Sequence, residues 1–222
     1  MNATLENQKT TSGISLRNGL SIGYDVTLAE VAGEISLGHG THYLLGRNGR
    51  GKTTLFRTLS GMLKPLNGQF DVSGNCRFVS EDLIFDPELR APQILKCLLT
   101  TGRAKEALAF AKLIELDLKK PFGKLSTGNK RKVNLLVAEF GFQQDGQDII
   151  FLDEPFTGLD APTRQAFLDR WANETSEVVR LVSAHPDFDE MPVPSALVIS
   201  DGKISHEAHS DMNWGQLRTY LN

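Results

Sequence analysis

"THYLLGRNGRGKTTLFRTLSGM", residues 41–62, holds the reading that decides the fold. The apolar run "THYLLG" predicts a buried strand, and "GKTTLFRTLSGM" places its apolar residues at helical spacing. Between them "GRNGRGKT" matches the pattern G-x-x-x-x-G-K-[ST], in the strand-to-helix setting that the pattern requires. Gly46, Gly49 and Gly51 let the backbone curl so that successive N–H groups point inward and cradle phosphates. Lys52 is positioned to reach the β- and γ-phosphates, and Thr53 to offer its hydroxyl to Mg²⁺. The expected nucleotide contacts are therefore Gly46, Arg47, Asn48, Gly49, Arg50, Gly51, Lys52, Thr53 and Thr54.

A second apolar run, "DIIFLDEP" at 148–155, predicts a strand that delivers Asp153 to the carboxyl edge of a parallel sheet, where ligands collect. Asp153 is suited to hold Mg²⁺ through its water shell. Glu154 follows at once, and neighbours on a strand point to opposite sides, so the two carboxylates need different tasks. Glu154 is the expected general base, polarising the water that attacks the γ-phosphate. His185, which ends "LVSAH", would orient that water from the end of another core strand. Tyr24, in "LSIGYD", is a candidate to stack on a base, although an aromatic residue on a strand more often belongs to the core. "LSTGNKRK" at 125–132 predicts a second helix start that faces an anion.

The rest of the chain sorts around these motifs. "ISLRNGLSIGYDVTLAEVAGEISL" predicts short antiparallel strands, and "GQFDVSGNCRFVS" a hairpin-like pair. "APQILKCLLTT", "RAKEALAFAKLIEL" and "TGNKRKVNLLVAEFGFQ" repeat apolar residues at i, i+3, i+4 and predict helices. "VVRLVSAH" and "ALVISDGKIS" return to strand composition, with the amphipathic "APTRQAFLDRWANET" preceding them. The expected architecture is one α/β domain over residues 13–222 after a flexible tail at 1–12. Its core covers about 13–86 and 145–222, and a helical subdomain is inserted at about 87–144.

Composition narrows the setting. A net charge of −3 gives no electrostatic reason to expect a nucleic-acid partner. No apolar run approaches the ~18 residues that would span a bilayer, and the polar start is unlike a signal peptide, so a cytoplasmic protein is expected. Cys76 and Cys97 are read as reduced thiols packed as small hydrophobes, and the His39/His42 and His206/His209 pairs as solvated surface histidines.

"GRNGRGKTT", "LSTGN", "DIIFLDEP", "TGLD" and "SAH" occur in an order and spacing that resemble the nucleotide-binding domain of ABC transporters, from about Ile14 to Ser205. The resemblance implies a P-loop NTPase core with a mostly parallel sheet, an N-terminal antiparallel β subdomain and an inserted α-helical subdomain. It implies ATP and Mg²⁺ as cofactors. "LSTGN" looks like the signature usually written LSGGQ: Ser126 and Gly128 match, while Thr127 and Asn129 depart. In this family two domains pack head to tail, so Ser126, Gly128 and Asp160 of "TGLD" would face the ATP held by a second copy. Where the family carries a Mg²⁺-binding glutamine, "RFVSEDLIF" places Glu81. Glu81 either ligates the metal at the cost of added negative charge or faces solvent.

The resemblance implies an ATP-hydrolysing subunit held at the cytoplasmic membrane by a separate transmembrane permease. With "LDEPFTGLD" and a compact helical block, the chain looks most like small export-type ATPases. The alternative is a soluble, non-transport ATPase of the cofactor-assembly or cell-division type.

Overall fold

The computed structural model describes residues 13–80, 82–141, 148–174, 176–183, 191–209, 212–217 and 219. The tail at 1–12, Glu81 and His185 lie outside the described residues. The chain opens with β1 (Gly13–Leu16), β2 (Ser21–Gly23), β3 (Thr27–Val31), β4 (Ile35–Leu37) and β5 (Gly40–Gly46), followed by α1 (Lys52–Leu59). Then come β6 (Phe70–Ser73), β7 (Asn75–Val79), and the helices α2 (Ala91–Leu98), α3 (Thr101–Leu113) and α4 (Thr127–Gly141). β8 (Asp148–Leu152), α5 (Ala161–Ala172), β9 (Val179–Ser183), β10 (Ser195–Ser200), β11 (Lys203–Ala208) and α6 (Trp214–Leu217) complete it.

The strands form two sheets, in the orders β4-β1-β6 and β2-β3-β11-β10-β5-β9-β8-β7. The first is antiparallel. In the second, β10, β5, β9, β8 and β7 run parallel, so the ends of β5, β8 and β9 reach one edge together. β8, β9 and β10 are buried almost throughout, and apolar residues accordingly dominate their sequences. Leu44, Ile149, Phe151, Leu181, Leu197 and Ile199 face one core, into which α1 inserts Phe56, 5.7 Å from Phe151. The alternate residues Tyr43, Leu45, Ile150, Leu152 and Val198 face the other, beneath α2 to α5.

One predicted pairing is wrong. β6 and β7 do not form a hairpin: β6 pairs with β1 and β7 joins β8 in parallel. Only Gly74 separates them, fewer than the two residues of the tightest common hairpin loop, so the chain runs from one sheet into the other.

The cysteines and two of the histidines also depart from expectation. Cys76 and Cys97 are free but exposed: Cys76 lies near the start of β7, the last strand of its sheet, and Cys97 is not among the buried residues of α2. His42 and His206 are half-buried and joined by one hydroxyl: Ser195 Oγ lies 2.7 Å from His42 Nδ1 and 2.8 Å from His206 Nε2. His42 Nε2 lies 2.8 Å from Gly38 O, which can only accept, so this nitrogen carries the proton in the neutral ring. Desolvation by burial holds both imidazoles below their ordinary pKa of 6.5. The unfolded chain therefore binds protons first as pH falls. The stability these residues contribute is complete above that value and declines below it. The melting temperature should fall between about pH 7 and pH 5, and His42→Gln with His206→Gln should flatten that slope; identical slopes would remove the pair from the pH response.

Candidate functional site

β5 ends at Gly46, and the loop that follows wraps the start of α1. Gly51 stands immediately before the helix at φ 106°, a left-handed conformation that a side chain would strain. Lys52 is buried and donates to Gly46 O at 3.0 Å and to Asn48 Oδ1 at 3.4 Å. Its Nζ also pairs with Glu154 Oε1 at 3.4 Å. Thr53 Oγ1 donates to Asp153 Oδ2 at 2.7 Å.

These groups surround a cavity of about 430 Å³. Asn48, Gly49, Gly51, Lys52, Thr53 and Thr54 line it from the loop and α1, Asp153, Glu154 and Thr157 from the segment after β8, and Leu28 from β3. The expectation that the two carboxylates face opposite sides fails here. β8 stops at Leu152, and Glu154 adopts φ 47°, which turns the chain so that both carboxylates reach one cavity. A left-handed non-glycine residue costs of order 1 kcal/mol, and such strain concentrates at functional sites.

The oxygen set suits Mg²⁺. The Thr53 hydroxyl and Asp153 carboxylate converge from opposite walls, and Mg²⁺ takes one or two protein oxygens with the remainder from water and phosphate.

The other predicted residues occupy different places. Arg47 and Arg50 are exposed at the loop tip and, with Gly46, do not line the cavity. Tyr24 is not a core residue: it is 53% exposed and its hydroxyl accepts from Arg57 Nη1 of α1 at 2.9 Å. Ser126 precedes α4, where its Oγ accepts from the Asn129 backbone N–H at 3.3 Å. A Cβ on Gly128 would stand 2.6 Å from Gly158 O, so only glycine permits this approach between the α4 start and the segment after β8. Asp160 precedes α5, accepting from Thr163 N–H at 2.8 Å and pairing with Lys132 of α4 at 3.0 Å. The Thr163 hydrogen bonds, ahead of Lys132, lower its pKa to about 2.

The sequence reading missed Leu28, Thr157 and Ser183. Thr157 falls in "TGLD" and was within reach of it. Ser183 joins Asp153 and Glu154 from a separate strand, which no local pattern signals.

The family model for ABC transporters matches residues 28–157, from β3 past Glu154. The chain belongs to the ABC transporter family. It is 30% identical over 186 residues to phospholipid-transporting ATPase ABCA3 of Mus musculus, covering 72% of this chain and 10% of that protein. It is 30% identical over 196 residues to the aliphatic sulfonates import ATP-binding protein SsuB of Corynebacterium glutamicum, covering 80% of this chain and 75% of that one. The chain spans 56% and 64% of the lengths of two archaeal ABC transporter ATP-binding proteins. In three dimensions it resembles an ATP-binding cassette in a dimeric, post-hydrolysis state bound to ADP and Pi. The TM-score is 0.66 at 18% identity, covering 88% of this chain and 98% of that one, a likeness of fold. ATP hydrolysis is general to this family, and the fold is its P-loop domain.

Proposed function

We propose that this chain binds and hydrolyses ATP with Mg²⁺ as the nucleotide-driven subunit of a transporter whose membrane-spanning part is a separate permease. The observation that carries the reading is the convergence of Lys52, Thr53, Asp153 and Glu154 on one cavity behind a glycine-rich helix start. Backbone N–H groups and the α1 dipole favour phosphate there. Lys52, now held by Glu154, exchanges that partner for the β- and γ-phosphates. Glu154, released, accepts a hydrogen bond from the attacking water. Thr53 and Asp153 would hold Mg²⁺, which when bound neutralises developing phosphate charge. His185 is proposed to orient the water, Tyr24 to stack on adenine while Arg57 holds its hydroxyl, and Glu81 to stand near the metal.

Ser126, Gly128 and Asp160 stand apart from the cavity, which accords with a role toward the ATP of a second copy packed head to tail. No helix among the described residues is long and apolar enough to cross a membrane, in keeping with a separate permease at the cytoplasmic face. Export is the proposed direction, on the compact helical block. The sulfonate-import relative makes uptake in a reconstituted system the result that would reverse it.

Lys52→Ala tests the site. Charge-assisted hydrogen bonds contribute about 1.5–3 kcal/mol, so affinity for a fluorescent ATP analogue should fall roughly ten- to hundredfold. Unchanged affinity would place the nucleotide elsewhere.

A further inference from the structure

Ser183 closes β9 and is fully buried. Every residue of this strand is buried, and a strand covered on both faces calls for an apolar side chain at that place. The hydroxyl is fully used instead: Ser183 Oγ accepts from the Glu154 backbone N–H at 2.8 Å and donates to Asp153 Oδ1 at 2.7 Å. A backbone N–H only donates and an ionised carboxylate only accepts, so the sense of both bonds is fixed.

We propose that Ser183 is a positioning residue of the hydrolytic site, fixing which oxygen of Asp153 faces the metal and holding Glu154 in the turn that brings its carboxylate into the cavity. This rests on the ATP-hydrolysing function proposed above. With Oδ1 committed to Ser183, Oδ2 is the oxygen turned toward Thr53. The Thr53 hydroxyl has one hydrogen and two lone pairs, so it could hold Mg²⁺ through a lone pair while still donating to Oδ2, and the Ser183 bond to Oδ1 is the second point that keeps the carboxylate from rotating. The same hydroxyl supports Glu154, whose left-handed backbone at φ 47° points its N–H at Ser183. Without that acceptor the N–H loses its partner, the turn relaxes, and the Glu154 side chain swings from the water it polarises. One buried hydroxyl thus aligns the metal ligand and the general base from a third strand. Outer partners of metal ligands commonly act in this way.

The test compares wild type, Ser183→Ala and Ser183→Thr in three measurements: affinity for a fluorescent ATP analogue in EDTA, the Mg²⁺ concentration that half-saturates the metal-dependent change in that affinity, and turnover. Ser183→Ala should leave the metal-free affinity unchanged, raise the Mg²⁺ midpoint and lower turnover by about tenfold or more each. Ser183→Thr, which restores the hydroxyl, should return both toward wild type. The methyl group of Thr enters a filled site; should that variant fail to fold, the alanine measurements decide alone. A wild-type Mg²⁺ midpoint and turnover in Ser183→Ala overturn the proposal, as does a loss of metal-free affinity, which would make Ser183 part of the general pocket architecture. A wild-type chain that binds no ATP analogue overturns the ATP-hydrolysing function itself. Normal wild-type binding with an unaffected alanine variant removes only the role of Ser183.

Discussion

Glu154→Gln, given ATP and Mg²⁺, should keep its nucleotide intact and pass from monomer to dimer in size-exclusion chromatography. The substitution preserves size and most hydrogen bonding while removing the base, a loss of roughly 10²- to 10⁴-fold in rate. It also removes the negative partner of Lys52, 3.4 Å away, so the cation is free to meet phosphate at once. If the α4 start of one copy caps the γ-phosphate held by another, ADP should not produce the dimer. Ser126→Arg in the same protein should block it by filling the capping place. Because Ser126 Oγ also accepts the Asn129 N–H, this second change carries a capping cost of about 1 kcal/mol, and a melting curve must show the double variant folded. A folded double variant that still dimerises with ATP, or a dimer driven equally by ADP, would contradict the head-to-tail arrangement.

The parts legible in the sequence are those whose chemistry is local. The loop from Gly46 to Thr53 carries its mechanism within eight consecutive residues, and the doubly buried strands announce themselves as apolar runs. The β6–β7 pairing was misread because adjacency in sequence suggested a hairpin, whereas the true partner of β7 lies beyond the helical block. The disposition of Asp153 and Glu154 was misread because strand alternation was extended one residue past the strand, where a left-handed φ breaks it. His42 and His206 looked solvated because nothing local signals that Ser195 lies between them. Ser183 and Glu139 went unseen for a common reason: each acts through partners distant in sequence, and the residue type alone gives no hint of them.

Replacing Glu139 by Leu should destabilise the fold by about 3–5 kcal/mol, the range observed when one member of a buried ion pair is removed. Glu139 lies on the buried side of α4, 2% exposed, and accepts from Arg170 Nε at 2.9 Å, Trp171 Nε1 at 2.9 Å and Arg180 Nη2 at 3.0 Å. Arg180, 1% exposed on β9, would lose the Glu139 carboxylate at 3.0 Å, while the Trp171 N–H would lose its acceptor. Replacing both members of a buried ion pair by apolar residues generally costs less than removing one, so the double replacement Glu139→Leu with Arg180→Leu should be less destabilised than Glu139→Leu alone. Urea unfolding of the four proteins in the cycle measures this; equal losses for the single Glu139 variant and the double variant would show that the two charges are not coupled. The site explains where a stability defect would become a functional one. Glu139 ties α4, whose first turn adjoins Ser126, to α5, which follows Asp160, and to β9, which ends at Ser183. A folded Glu139 variant should consequently retain ATP affinity at Lys52 and Thr53, which lie across the sheet on α1, and lose turnover first, because the groups that must stay in mutual register are those the buried carboxylate joins.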